Sequence, residues 1–285
     1  MESLEIGKSS GTNGFTPLRP QVTPGPRHRR RENGHVPVMV REMLQALEVC
    51  RAGHYLDATF GAGGYARAIL DAGAARVFAI DRDPAAIASA RALAAECPRL
   101  TVLEGRFGDM VELLAPHDAR RLDGIVLDLG VSSMQLDVAD RGFSFATDGP
   151  LDMRMSGRGT SAADVVNQAD AATLAAILRR YGEEPAARRI ARAIMARRAR
   201  APIVRTRELA ELVAGAVGAK AGRTDPATRT FQALRIHVND ELGELERALH
   251  AAEALLPSGA EVALRLKPRR PASFDNLTKV LRREP

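Results

Sequence analysis

The chain has 285 residues, 45% of them hydrophobic, enough to build a core in one large or two smaller domains. Its two cysteines, Cys50 and Cys97, lack CxxC spacing, which excludes a disulfide framework and leaves no metal site expected; with 4% aromatics and no Trp there is little material for a platform that stacks single-stranded nucleic acid. The formal charge of +6 is unevenly spread, with ten arginines against only Glu183 and Glu184 between residues 179 and 207 and seven basic residues against two acidic ones from Arg265 onward.

Residues 1–34 are rich in Pro, Gly, Ser and Arg without apolar periodicity and read as a disordered basic tail. They hold no apolar core of a signal peptide, and nowhere does an apolar run approach the roughly 18 residues that span a bilayer, so a cytoplasmic location and no membrane partner are expected. Val36 to Val40 suggests a short extended segment, and the spacing of Met43, Leu44 and Leu47 a helix behind it.

Strand and helix signals then alternate. A strand near 54–60 runs into the glycine-rich turn Gly61-Ala-Gly63-Gly64-Tyr65, which opens a helix near 64–72; glycines there let the backbone turn tightly and approach a ligand. A second strand at 76–81 ends on Asp81, about 20 residues past the turn, where such folds hold ribose hydroxyls. The glycine pattern alone also satisfies the dinucleotide fingerprint, so a nicotinamide enzyme stays open at this point. Pro84 opens a helix to Glu96, a strand follows at 100–104, and Asp123 to Leu129 is another buried strand carrying Asp128 near its end. This alternation predicts a doubly wound, mostly parallel sheet with its ligand crevice at the strand C-termini, where Asp57, Asp81 and Asp128 all fall.

After Gln135 the rhythm breaks. Residues 136–160 are turn-rich, and helices follow without strands: one carrying Leu174, Ile177, Leu178 and Tyr181 with Gly182 as its stop, one from Ala186 to Arg200, and one capped by Thr206 with Leu209, Leu212, Val213 and Val217 inward. The middle helix buries Ile190 and Ile194 and carries Arg188, Arg189 and Arg192 on other sides. Those arginines are either a grip for a polyanion or a solvated face. Asp225-Pro226 begins a further helix with Phe231, Leu234 and Val238 inward, Asp240 to Leu256 is helical again, and Glu261 to Leu266 could be a last core strand.

Seven blocks in order carry a resemblance to a known family: His35-Val-Pro-Val, Asp57-Ala-Thr-Phe-Gly-Ala-Gly-Gly-Tyr65, Ala79-Ile-Asp-Arg-Asp-Pro84, Asp123 to Ser133, Arg141-Gly-Phe-Ser-Phe145, Asp148-Gly-Pro-Leu-Asp-Met-Arg154 and Thr228-Arg-Thr-Phe-Gln-Ala-Leu-Arg235. Together they closely resemble the RsmH (MraW) family over about residues 35–257. The resemblance implies a methyltransferase of Rossmann-like fold with an inserted helical domain, which uses S-adenosylmethionine to methylate the exocyclic N4 of a cytidine in the decoding region of 16S ribosomal RNA. It implies 16S RNA or the small ribosomal subunit as partner, with a homodimer left open. By position the cofactor contacts fall on Gly63, Gly64, Tyr65, Asp81, Phe107, Asp128 and Gln135. Asp81 would take the ribose hydroxyls and Phe107 the adenine; Asp128 and Gln135 would close the methionine end or the adenine edge. No catalytic residue is assigned, Asp128 being the first candidate to accept a proton from the amine. Arg188, Arg189 and Arg192 are the phosphate candidates.

The implied organisation is the tail at 1–34, a first methyltransferase part at 35–137, an inserted helical substrate-recognition domain at 138–224, and a second methyltransferase part at 225–285. The last segment departs from the family. Its expected Ser-Phe-His-Ser-Leu-Glu-Asp-Arg block is absent after Glu261 to Pro268, so fewer strands and an open sheet edge are expected, with lower stability or a compensating partner. A non-catalytic RNA-binding relative is the alternative this leaves.

Overall fold

The computed structural model describes residues 39–218 and 225–257, together with the backbone of two strands at 261–266 and 278–282. The chain divides into Met1–Gly34 and His35–Pro285, and every described residue lies in the second part. The basic tail falls outside the described residues, as do residues 36–38 of the expected extended segment. Val40 already belongs to helix α1 (Val40–Leu47).

Four strands, β1 (His54–Asp57), β2 (Arg76–Asp81), β3 (Leu100–Glu104) and β4 (Gly124–Leu129), form a parallel sheet. Between them run α2 (Gly64–Asp71), α3 (Pro84–Glu96) and α4 (Met110–Leu114). Alternate residues of each strand point to opposite faces, and both faces are covered. Leu56, Phe78, Ile80, Ile125 and Leu127 pack under α4 and under the later helix carrying Ala248, Ala252 and Leu255; Tyr55, Val77, Ala79 and Val126 pack against α1, α2 and α3. The near-continuous apolar runs in the sequence follow from this double cover.

After β4 come α5 (Ser133–Asp137), α6 (Ala162–Gln168), α7 (Ala171–Gly182), α8 (Ala187–Arg198), α9 (Thr206–Val217), α10 (Thr228–Asn239) and α11 (Glu241–Leu255). Helices α6 to α10 share a core of their own, centred on Val166, Leu174, Leu178, Ile190, Ile194 and Leu209. Ala227, Phe231, Ala233 and Leu234 join that core, so by packing α10 goes with the helical group and the chain returns to the sheet at α11, not at residue 225. The hinge between them is Asp240, in the left-handed region at φ 50°.

Two local readings change. Thr206 is the first residue of α9 rather than its cap: its hydroxyl accepts the Gly149 N–H at 3.0 Å, while its own N–H goes to the Gly149 carbonyl. With Leu151 N–H to the Val204 carbonyl and Arg205 to Asp148 at 2.7 Å, this fastens the 148–151 loop to the helical group. Gly182 ends α7, but the left-handed residue is Glu183. The glycine answers to a close approach instead, since a β-carbon there would lie 2.6 Å from the Arg229 carbonyl oxygen of α10.

Beyond β4 the sheet continues. β5 (Glu261–Leu266) pairs parallel to β4, and β6 (Thr278–Arg282) antiparallel to β5, giving the order β3-β2-β1-β4-β5-β6. The segment after Leu266 thus supplies a strand of its own, which forms the edge of the sheet.

Two helical glycines should respond oppositely to alanine. Gly182→Ala must push α7 and α10 apart and should cost about 1–3 kcal/mol, whereas Gly215→Ala, on an exposed face of α9 with nothing within 4 Å, should add about 0.5–1 kcal/mol. Urea unfolding of both variants checks the difference in sign.

Candidate active site

At the C-terminal ends of β1, β2 and β4 lies a cavity of about 950 Å³. Its floor is the turn between β1 and α2, held by backbone bonds from Ala58 to the Val126 carbonyl and from Phe60 to the Ile80 carbonyl. The turn is fastened from below by Asp57, which is fully buried and accepts the N–H of Thr59 at 3.2 Å and of Ala66 at 3.0 Å, one on each side of it. By position Asp57 falls with Asp81 and Asp128 beside the expected ligand crevice. It is instead a structural staple with no surface in the cavity.

The seven expected cofactor residues divide. Gly64, Tyr65, Asp81, Phe107, Asp128 and Gln135 line the cavity; Gly63 does not. Gly63 caps α2 at φ 78°, and a β-carbon there would come within 2.5 Å of the Phe60 ring, so this glycine shapes the turn that its neighbours present. Asp81 accepts the Gly61 N–H at 2.8 Å and the Asp83 N–H at 2.9 Å, one on each carboxylate oxygen, which leaves lone pairs on both for a ligand. Phe107 sits in a short 3-10 turn after β3, partly buried against the core. The Asp128 N–H is held by the Thr59 hydroxyl at 2.7 Å, which ties the end of β4 to the turn.

Gln135 stands in the first turn of α5 in a reciprocal cap: its side-chain oxygen accepts the Ser132 N–H and its own N–H goes to the Ser132 hydroxyl. Its amide nitrogen donates to Asp83 at 2.7 Å, so both ends of the amide are engaged within the chain and brace the cavity wall. Asp83 itself is 2% exposed and also caps α3 and pairs with Arg141 at 2.9 Å. Arg141 in turn donates to the carbonyls of Arg154 and Met155. This network bends the 141–155 loop over the cavity, where Phe143, Phe145 and Met155 line it. Asp83-Pro84 was readable as a helix start; its partners lie 52 and 58 residues away and left no local sign.

Helices α10 and α11 close the remaining side. Asn239, 5% exposed, donates to the Met153 carbonyl at 2.7 Å and accepts the Met155 N–H, and its own carbonyl receives Arg82 at 3.0 Å. Arg188, Arg189 and Arg192 do not line the cavity. All three are exposed on α8, and among the described residues none makes an ion pair; Arg189 donates to the Val217 carbonyl. Neighbouring arginines behave differently: Arg197 pairs with Glu208, and Arg198 holds the carbonyls of Val166 and Ala169.

Three carboxylates thus crowd the strand ends. Burial first, then the nearby charges of Asp81 and Asp128, pushes Asp57 up to about 7 from the usual 3.8, although the bonds from Thr59 and Ala66 oppose the shift. Burial likewise raises Asp81. A cation in the cavity would relieve this repulsion, which fits a sulfonium ligand. The folded chain keeps a proton on Asp57 that the unfolded chain releases near pH 4, so this group's contribution to stability is present in full below pH 4 and is lost as pH rises to about 7. Asp57→Asn should therefore flatten the pH dependence of unfolding free energy between pH 5 and 7 by up to about 1.4 kcal/mol per unit. At pH 5 it should also be less stable than the wild type, because an amide offers one acceptor where two N–H groups need one each. Urea titrations at several pH values test both.

Residues 32–264 match the MraW methylase family. The chain is 58% identical over 231 residues to the ribosomal RNA small subunit methyltransferase H of Rhodospirillum centenum, covering 81% of this chain and 70% of that one. It is 59% identical over 232 residues to the protein of the same name from Parvibaculum lavamentivorans, covering 81% and 68%. The nicotinamide reading of the glycine turn is set aside accordingly. With a match over most of its length, the chain belongs to the MraW methylase family and is a methyltransferase that uses S-adenosylmethionine.

Proposed function

We propose that this protein methylates the exocyclic N4 of a cytidine in the decoding region of 16S ribosomal RNA. The observation that carries the reading is the lining of the cavity. In about 950 Å³ it brings Asp81, Phe107 and Asp128 at the strand ends together with Phe143, Phe145 and Met155 of the 141–155 loop and Thr228, Phe231 and Gln232 of α10. The names of the relatives, ribosomal RNA small subunit methyltransferases, supply the substrate class.

When bound, S-adenosylmethionine supplies a methyl group already activated by its sulfonium. In this reading Asp81 takes the ribose hydroxyls and Phe107 covers the adenine. The work left to the protein is on the nucleophile: the N4 lone pair of cytosine is delocalised into the ring, so the amine must be held with its lone pair forward and its protons accepted. Asp128, at the end of β4, is the acceptor proposed for that task. Positioning and preset hydrogen bonding of this kind are the terms that lower such a barrier. Extruding the base costs roughly a few kcal/mol in a duplex and less in a loop.

Outside the cavity we assign Arg188, Arg189 and Arg192 to the phosphate backbone of the RNA. Their exposure and lack of ion pairs among the described residues favour this over a merely solvated face.

Labelled methyl transfer to 16S RNA and to immature small subunits, with the modified base mapped, tests the reaction; a protein that binds the RNA and transfers no methyl would be a non-catalytic relative. Asp128→Asn should lower turnover about 100-fold or more while S-adenosylhomocysteine affinity, read by calorimetry, changes far less. Replacing the three arginines by alanine should weaken RNA binding and reduce the slope of log affinity against log salt by about two to three, with cofactor affinity unchanged.

A further inference from the structure

Helix α10 presents Thr228, Phe231, Gln232, Arg235 and Ile236 to the cavity, the i, i+3, i+4, i+7 and i+8 positions of a single face. Its two long polar side chains differ. Arg235 is held by Glu241 through two bonds of 2.6 and 2.9 Å, both residues being largely buried, and is committed to joining α10 to α11. Gln232 is different. Its side chain is half-buried in the cavity wall and makes no hydrogen bond among the described residues.

Beside it lies an aromatic seat. Phe231, 4% exposed, sets its ring edge against Phe145 at 4.7 Å and 64°, and Phe145 remains partly open to the cavity from the 141–155 loop. Phe145 and Gln232 line one cavity, and the ring on which Phe145 packs belongs to Gln232's neighbour on α10. An amide nitrogen carries two N–H donors, and cytosine has two adjacent acceptors, O2 and N3, on the edge next to its amine. Uracil has an N–H at position 3 and no amine. A half-buried donor that finds acceptors on one base and a clashing donor on another discriminates more strongly than apolar contact does.

We propose that Gln232 is the specificity-determining residue of this enzyme: seated on Phe145, the target cytosine receives a Gln232 amide N–H on its O2/N3 edge, which orients its N4 toward the donor side of the cavity. The assignment rests on the cytidine reading given above. Gln232 touches the base but takes no part in the bond made or broken.

The test uses the full chain, S-adenosylmethionine and immature small subunits or a 16S RNA fragment. Q232E keeps the size of the side chain and removes its donors. It should lower kcat/KM for methyl transfer to cytidine by about 10-fold or more, with S-adenosylhomocysteine affinity and melting temperature close to wild type. RNA carrying 3-deazacytidine at the target, which lacks the N3 acceptor, should be a poorer substrate for the wild type but should bring Q232E no comparable further loss, because the same contact is already gone. F145L should lower kcat/KM for RNA while leaving cofactor affinity alone. If the wild type methylates cytidine N4 and Q232E does so equally well, or if the Q232E and deaza losses simply multiply, the assignment of Gln232 is overturned and the cytidine reading survives. If the wild-type methyl lands on another base, the cytidine reading fails and takes the Gln232 assignment with it.

Discussion

The cavity depends on one buried carboxylate. Asp57 ends β1 beneath a turn that has to leave the sheet, reverse and enter α2 within seven residues, and its two oxygens take the N–H groups of Thr59 and Ala66 on either side of the reversal. Burying a carboxylate is costly unless its lone pairs are engaged. Here the backbone engages them, and Asp57 is driven toward the neutral form as well. The turn it fixes then places the Gly61 N–H on Asp81 and the Thr59 hydroxyl on the Asp128 N–H, so the three strand ends are set in register around one point. Asp81 and Asp128 owe their positions to a residue that never reaches the ligand space.

A second constraint joins the sheet to the helical group. The 141–155 loop buries Phe143, Leu151, Met153 and Met155 in the core of the helical group, and polar bonds fix its course. Arg141 bridges the cap of α3 to the carbonyls of Arg154 and Met155, and Asn239 at the end of α10 seizes the same stretch at Met153 and Met155. Such bonds are strong where they are buried and fully satisfied. The loop is held from both sides, and with it the phenylalanines that roof the cavity.

Most of the sheet was legible in the sequence because its strands are short, apolar and separated by good punctuation, as Asp83-Pro84 before α3 shows. The family motifs located six of the seven expected cofactor residues on the cavity wall, since those positions are local to strand ends. What the sequence did not disclose is long-range or depends on close approach. Gly182 ends α7 as its spacing suggests, but nothing near it announces that α10 crosses it. Gln135 lines the cavity, and its bond to Asp83 spans 52 residues and left no local sign. Asp57 read as one more acid at a strand end, and only its burial separates it from Asp81. Likewise Phe231 reads as a core residue, which it is, while its neighbour Gln232 gains meaning only when the loop carrying Phe145 comes down beside it.

Charge is arranged to suit two ligands of opposite sign. A sulfonium donor is favoured by carboxylates, and the strand ends provide Asp81 and Asp128 in surroundings dry enough to strengthen the attraction. An RNA strand is repelled by those same groups. In the reading proposed above, the helical group meets the phosphates with Arg188, Arg189 and Arg192, which lie exposed on α8 and make no ion pair among the described residues, and spends other arginines on its own carbonyls and carboxylates. Between the two regions the cavity wall is aromatic and amide, carrying no net charge at Phe145, Phe231 and Gln232. In that reading a neutral base crosses from the basic exterior to the acidic floor by this route, and its phosphates stay outside. The segregation of acids to the sheet and bases to the helices is thus what a methyltransferase needs when its donor is a cation and its acceptor sits on a polyanion.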